Sequence, residues 1–221
     1  MWLATRDVAP IENRLDDGDL RDVRGWVEAL VRPDVCIECR VHPLDGSTPD
    51  LRVHGLRAAE AGFAAVQGRD RDGVDVVEIY AVPPALLGAV VAESVGLVGA
   101  GGHRRIAVTG GGERLPAPAD GVGEYDDLGL SIIQLELSQQ AVPVDVRDVV
   151  AIGTVQSRHE PTPYWGVDSA RPILRWVQVR GDGDYLYEAD DSGHLEPLDL
   201  SLLNACIDGL IADVTRRRAS R

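Results

Sequence analysis

The chain has 221 residues, enough for one large domain or two small halves around a sizeable core. Its 36 acidic residues outnumber 22 basic ones, and the net charge of −14 repels nucleic acid and anionic lipid at long range. All the basic residues are arginine, which excludes a Schiff-base lysine, a pyridoxal phosphate anchor and a phosphate-loop lysine. The opening MWLATRDVAPIENR lacks the pattern of a signal peptide. We therefore expect a soluble cytoplasmic protein with no nucleic-acid partner and no membrane insertion.

The first half of the chain predicts a helix, a set of strands and a second helix. Apolar residues recur at helical spacing from Asp19 until Pro33 ends the pattern, and residues 35–42 then alternate as in a strand. Pro83 and Pro84 stand where the second helix begins, because a missing N–H is harmless in a first helical turn. Further strands are predicted at 51–58, 62–67, 74–82 and 104–110.

A linker and a helical segment separate this half from the rest of the chain. Glycine, proline, alanine and acidic residues dominate 111–126, which therefore predicts a linker. Two helices are expected after it, at 128–140 and 144–152, and Pro143 separates them.

The remaining chain repeats the plan of the first half. Strands are predicted at 172–180, 185–190 and 193–198, with a GDGD turn between the first two. Asp199 caps a closing helix. The apolar stripe of this helix comprises Leu200, Leu203, Ile207, Leu210, Ile211 and Val214. We therefore expect an α+β fold of two quasi-two-fold related halves, residues 1–115 and 116–221, within one globular unit. Each half is an antiparallel β-meander closed by an amphipathic helix, with a helical segment between them.

The glycine-rich stretch GLVGAGGHRRIAVTG, which begins at Gly96, is similar in composition to a phosphate-binding loop. A Walker loop needs Lys and then Ser or Thr after its last glycine spacing, but Gly102 and His103 stand there. A dinucleotide-binding loop follows a strand and opens a helix, whereas this stretch follows a helix and precedes a strand. We therefore interpret Gly96 as a helix end and expect no cofactor.

The sequence contains no strong pattern of catalytic or metal-binding residues. Cys36 and Cys39 form a C-x-x-C motif, but an alternating strand directs the two side chains to opposite faces. The five histidines are scattered, and no H-E-x-x-H motif occurs. Adjacent acidic residues such as Asp16 and Asp17 are interpreted as solvated turn residues, with a catalytic carboxylate pair as the alternative. We expect no catalytic residue and no metal ligand.

Two apolar groups are candidates for binding a protein partner. Tyr164 and Trp165 begin an aromatic-rich stretch whose acidic neighbours argue against base stacking, which leaves core packing or a protein-binding surface. The helix at 128–140 has more apolar residues than one buried stripe requires, so part of it could face a partner; burial on several sides is the alternative. The candidate partner-binding residues are Leu128, Leu130, Ile132, Ile133, Tyr164 and Trp165.

Several short motifs occur in the same order as these predicted elements. They are Leu30-Val-Arg32-Pro33, Val82-Pro83-Pro84-Ala-Leu86, Arg105-Ile-Ala-Val108, and Arg171-Pro172 before the strand that contains Trp176. Together they resemble the EspG family, the cytoplasmic chaperones of actinobacterial type VII (ESX) secretion. The resemblance implies an α/β protein with quasi-two-fold halves. It also implies that the protein binds the helical tip of PE–PPE heterodimers, shields it and guides these helical substrates to export.

Two features depart from the family pattern. Members usually carry a further strand and helix at the N-terminus, so this chain looks shortened at its start. The glycine-rich strand entry of the second half is reduced to Gly153-Thr-Val-Gln-Ser-Arg-His. Two functions of other classes stay open. One is a small metal-independent hydrolase or transferase that uses acidic turn residues, and the other is a structural module that forms a homodimer through a sheet edge or its C-terminal helix.

Overall fold

The computed structural model describes residues 10–46, 48–69, 71–109, 141–159, 168, 171–187 and 193–219. Within them the chain forms an α+β fold, in which four α-helices accompany one ten-stranded, mostly antiparallel sheet. This confirms the predicted fold class. The predicted linker at 111–126 and the predicted helix at 128–140 lie outside the described residues.

The first half follows the predicted order of elements. The short helix α1 spans Ile11–Asp16, and α2 spans Arg24–Val31. Four strands then pair in sequence as antiparallel neighbours, and they are β1 (Val35–Pro43), β2 (Leu51–Ala58), β3 (Ala61–Arg69) and β4 (Asp75–Val82). The helix α3 (Leu87–Ser94) follows a 3-10 turn at Pro84–Leu86, which confirms the helix start predicted from the two prolines.

The remaining elements are six described strands and a long closing helix. Ile106–Thr109 belongs to the predicted first half, residues 1–115, but it pairs with strands of the second half. The elements are β5 (Ile106–Thr109), β6 (Val142–Asp145), β7 (Val149–Arg158), β8 (Ile173–Val179), β9 (Gly183–Tyr187), β10 (His194–Pro197) and α4 (Leu200–Ala219). Asp199 caps α4 as predicted, because its carboxylate accepts the N–H of Leu202 at 2.7 Å. Leu200 is the first residue of the predicted apolar stripe. It lies in the first turn of α4 and is 44% exposed, so burial begins at Leu203.

The helix predicted at 144–152 is wrong. Val142–Asp145 forms β6, a 3-10 turn spans Val146–Asp148, and β7 begins at Val149. The pairing of β7 with β8 changes register between Val149 and Ala151, which interrupts the alternation of a regular strand. The apolar residues therefore imitate helical spacing, although from Ala151 onward the chain pairs with β1 and β8 on both sides and forms a central strand.

The two meanders meet at the centre of the sheet, where β1 and β7 pair antiparallel. The strand order is β4-β3-β2-β1-β7-β8-β9-β10-β5-β6, and β5 and β6 are the one parallel pair among the described strands. Cys39 lies opposite Val155 in the central pair. The strand β1 begins a meander of four strands, β1–β4, that α3 follows, and β7 begins a meander of four strands, β7–β10, that α4 follows. The helices α3 and α4 contact each other. The strand order is that of two quasi-two-fold related halves joined in one sheet.

One face of the sheet packs against α3 and α4 and forms the main core. Ile37 and Cys39 on β1 are buried there with Val155 on β7. Gly153 is required beside them because the Trp176 indole lies across its backbone, so that a Cβ at 153 would be 1.9 Å from Trp176 Cε2. The helices contribute Leu87, Val91, Leu203 and Ile207 to this core.

The opposite face carries charged residues at its centre. Arg158 Nη2 donates to Glu38 Oε2 at 2.7 Å, and both side chains are at least nine-tenths buried. Asp50 accepts from Arg40 Nε at 2.6 Å and lies 2.6 Å from His42 Nδ1. In the C-terminal half the same side of the sheet becomes apolar, with a second cluster that contains Ile106, Val177, Val179, Tyr185 and Leu195.

Candidate functional site

An open groove of about 730 Å³ lies where β1, β7 and β8 end beside the C-terminus of α3. Val41, Ala151 and Trp176 line it from the strands, and Val95 and Leu97 line it from the loop after α3. These residues come from both meanders, so the groove exists only because the sheet joins the two halves. Its volume lies within the range of about 300–1,000 Å³ that is typical of ligand-binding clefts.

The lining of the groove is apolar in the centre and charged toward solvent. Arg147, Arg180 and Asp45 are exposed at its edge. Asp184 also lines the groove, but it is buried, with only 1% of the residue exposed. The groove can therefore hold apolar side chains while the edge offers both donors and acceptors to polar groups next to them.

The glycine-rich loop after α3 forms one wall of the groove, and the hairpin between β8 and β9 holds this loop in place. The carboxylate of Asp184 accepts the N–H groups of Val98 at 2.7 Å and of Gly99 at 3.0 Å. The Asp184 backbone also pairs with the loop, because its N–H donates to Gly99 O at 2.7 Å and its C=O accepts from Gly101 N at 3.1 Å. Residue 99 needs to be glycine, since its φ is +127°.

Asp182 attaches the same hairpin to the end of the loop. Its carboxylate accepts the N–H of Gly102 at 2.7 Å and the hydroxyl of Tyr185 at 2.5 Å. The Tyr185 hydroxyl in turn accepts the N–H of His103 at 3.0 Å. The loop can lie against the tyrosine ring because residue 101 is glycine, where a Cβ would be 1.9 Å from Tyr185 Cζ.

Burial and hydrogen bonding shift the pKa values of these side chains in different directions. Burial raises the pKa of Asp184, and the N–H groups of Gly99 and Val98 offset only part of this rise. Burial acts in the same sense on Asp182, but hydrogen bonds from Tyr185 and Gly102 outweigh it and lower the pKa of that carboxyl. Burial and then the Asp182 hydrogen bond raise the pKa of Tyr185 to about 12, so its hydroxyl keeps its proton at neutral pH.

The glycine-rich loop does not present these amides to a phosphate. Carboxylates already occupy the N–H groups of Val98, Gly99 and Gly102. A phosphate would also lie next to two acidic side chains, where its charge is repelled. α3 ends at Ser94 and Gly96 has a φ of +68°, so the interpretation of Gly96 as a helix end is confirmed.

The cysteines and acidic residues singled out in the sequence occupy ordinary core and surface positions. Cys36 and Cys39 are buried thiols outside any disulfide and lie on opposite faces of β1, and burial raises the pKa of the Cys39 thiol. Asp16 is the last residue of α1 and not a turn residue as predicted, but it is exposed and forms an ion pair with Arg24. Across the described ranges, His, Cys, Asp and Glu side chains do not gather in a group of three or more that could hold a metal ion.

The six predicted partner-binding residues all lie outside the described residues, so their role stays a prediction. They are Leu128, Leu130, Ile132, Ile133, Tyr164 and Trp165. The structure does describe Asp168, which follows the last two. The Gln156 side chain fixes it by donating to Asp168 O at 2.8 Å and accepting from Asp168 N at 2.9 Å.

Sequence reasoning did not find the groove, because its walls come from segments far apart in the chain. The GDGD motif was interpreted as a hairpin turn, which is correct but incomplete. Its aspartates at 182 and 184 face a second glycine-rich loop about 80 residues away, as the separations of the bonded pairs show. The sequence did contain one signal for this contact. The GDGD motif supplies carboxylates, and the glycine-rich stretch after α3 supplies backbone N–H groups that they can accept.

The fold and the groove together define an α+β protein built around one continuous sheet, with an apolar cleft where its two halves join. No family model matches the sequence, and no curated protein gives a significant match. Among the helices that the structure describes, none combines the length and apolar character needed to cross a bilayer.

Proposed function

We propose that this protein is a cytoplasmic secretion chaperone of the EspG type. It binds the helical tip of type VII (ESX) secretion substrates such as PE–PPE-like heterodimers, keeps them soluble and directs them to export. The observation that carries the proposal is the open apolar groove at the junction of the two meanders. The quasi-two-fold strand order, which the resemblance to that family implies, supports it.

The groove has the chemistry that a helical tip requires. The tip of a helical hairpin exposes apolar side chains together with carbonyl oxygens that have no partner within the helix. The apolar side chains would contact Leu44 and Leu97 in the groove. Arg147 and Arg180 at its edge would donate to the terminal carbonyl groups, where a positive charge also interacts favourably with the helix dipole.

The first test is co-expression of the full chain with each small helical secretion substrate encoded beside it, followed by affinity pull-down. The double variant Arg147→Glu/Arg180→Glu should lower client recovery by about 10-fold or more, equivalent to about 1.4 kcal/mol of binding energy. Its melting temperature should not change, because both side chains are exposed. Arg21→Glu/Arg217→Glu makes the same charge change outside the groove and should keep the client.

The possible results test the chaperone function and the groove as its binding site separately. If the wild-type chain recovers none of the helical substrates, the chaperone proposal is wrong. If it recovers a client and both double variants do so equally, the client binds elsewhere. In that case Leu130→Ser and Ile133→Ser, designed from the sequence, should lose the client at an unchanged melting temperature; unfolding of these variants would instead indicate core positions.

A further inference from the structure

The two outer strands of the sheet differ in how well they are protected against pairing with another strand. β6 has four residues and contains Pro143, which has no N–H to donate. β4 has eight residues, without proline, and its pairing with β3 runs in register from Asp75 to Val82. Within the described part of the chain, β3 is the one strand that pairs with β4.

β4 also carries exposed apolar side chains on both faces. Val77 is 57% exposed and Tyr80 is 47% exposed, on opposite sides of the strand. Its charged residues are both acidic, Asp75 and Glu78, and neither is a lysine of the kind that commonly blocks an edge. A long, regular strand with this composition is a template for a further strand.

We propose that β4 pairs antiparallel with β4 of a second copy of this chain, so that one sheet continues through a homodimer. A two-fold axis perpendicular to the sheet places residues of the same face opposite each other. An axis at Glu78 would place the two Glu78 carboxylates opposite each other. An axis at Ile79 avoids this and pairs most of the strand, from Val76 to Val82.

The register centred on Ile79 matches the chemistry of both faces. On one face Ile79 meets its own copy and Val77 meets Ala81, so the contact is apolar. On the other face Tyr80 meets Glu78. The Tyr80 hydroxyl already donates to Glu78 of its own chain at 2.7 Å, so this carboxylate can accept from both tyrosines across the axis.

Sedimentation of the purified full chain tests the dimer. We expect a concentration-dependent monomer–dimer equilibrium, and Val77→Lys should raise its dissociation constant by about 10-fold or more, since it places a charge within the apolar contact. The matched control is Val31→Lys, at a valine that is 73% exposed at the end of α2, and it should dimerise like the wild type. A chain that stays monomeric, or a dimer equally stable in both variants, would overturn the proposal.

Disulfide cross-linking tests the register independently. Ile79→Cys should form a covalent dimer on oxidation, because residues opposite each other in an antiparallel pair have Cα atoms about 4.5–5.5 Å apart, within the range of a disulfide. Val77→Cys should not, because the two copies of residue 77 would lie four positions apart along the strands, about 13 Å at ~3.3 Å per residue. Equal cross-linking at both positions, or at neither, would contradict this register. The wild type, with its native thiols, gives the background.

Discussion

The central strands β1 and β7 present faces of opposite chemical character to the two sides of the sheet. Toward α3 and α4, Ile37, Cys39 and Val155 are buried among apolar neighbours. Toward the other side, Glu38 and Arg158 are buried almost as completely, but as an ion pair at 2.7 Å. The same two strands are therefore held by hydrophobic packing on one face and by paired charges on the other.

This difference determines which changes each face can tolerate. Apolar packing has no fixed direction, so it accepts side chains of similar volume but not added volume at a close contact. A buried ion pair depends on both partners, because removal of one leaves the other as an uncompensated charge in a low-dielectric environment. We therefore expect the helix-side face to respond to size and the charged face to respond to charge and pH.

The largest effect should come from added volume at Gly153 on the helix-side face. A Cβ there would be 1.9 Å from Trp176 Cε2, and the indole is itself enclosed by the core. Gly153→Val should therefore destabilise the protein by about 5 kcal/mol or more, enough to unfold a typical domain. Circular dichroism and thermal melting would detect the loss of cooperative unfolding.

Gly209 on α4 provides the matched glycine control. A Cβ at this position meets nothing within 4 Å. Gly209→Ala should leave the fold intact and raise stability by up to about 1 kcal/mol, because alanine is the better helix former. A cooperative transition of Gly153→Val close to that of the wild type would show that the indole can move, and that size does not limit this face.

A smaller but still large effect is expected on the charged face. Arg158→Ala leaves the Glu38 carboxylate buried without its 2.7 Å partner. The free energy of unfolding, measured by urea denaturation, should fall by about 3–5 kcal/mol. The double variant Glu38→Gln/Arg158→Met removes both charges at similar volume and should be more stable than Arg158→Ala. Equal losses in the two variants would mean that packing, and not the charge pair, stabilises this face.

The sequence predicts one of these two faces better than the other. The alternation of residues 35–42 identifies β1 and places Ile37 and Cys39 on one side, because a strand directs every second side chain to the same face. The partner of Glu38 lies 120 positions further along the chain, so no local sequence pattern predicts the ion pair. The groove could not be predicted from the sequence for the same reason, because strand pairing across the junction of the halves creates it.

The register shift in β7 shows a second limit of prediction from sequence. Its first residues have the spacing of a helix, and only the neighbours β1 and β8 make them a strand. Elements with a complete local signal, such as the proline-started α3 and the Asp199-capped α4, were predicted correctly. Tertiary pairing overrides weak local preference in the middle of the sheet.

The smallest of these effects is a pH dependence of the free energy of unfolding, which we expect from the charged face and not from the apolar one. His54 lies on the charged face, opposite Glu38 on β1. Burial, and then the positive charge of Arg158, lowers the pKa of His54 to about 4. The unfolded chain binds a proton at this residue below pH ~6.5, whereas the folded chain does not until pH ~4. The contribution of His54 to the free energy of unfolding therefore decreases as the pH falls from ~6.5 to ~4, by about 3 kcal/mol, and is constant below that.

His54→Gln should remove this part of the pH dependence. The free energy of unfolding, measured by urea denaturation at several pH values between 4 and 7, would show the change. Val91→Ala on α3 is the control from the apolar face, where Val91 is fully buried. It should lower stability by a similar amount at every pH, because it removes packing and no titrating group. If both variants kept the wild-type pH profile, His54 would not be the group that titrates. If Val91→Ala also flattened the profile, the two faces would be coupled through the sheet and would not respond separately.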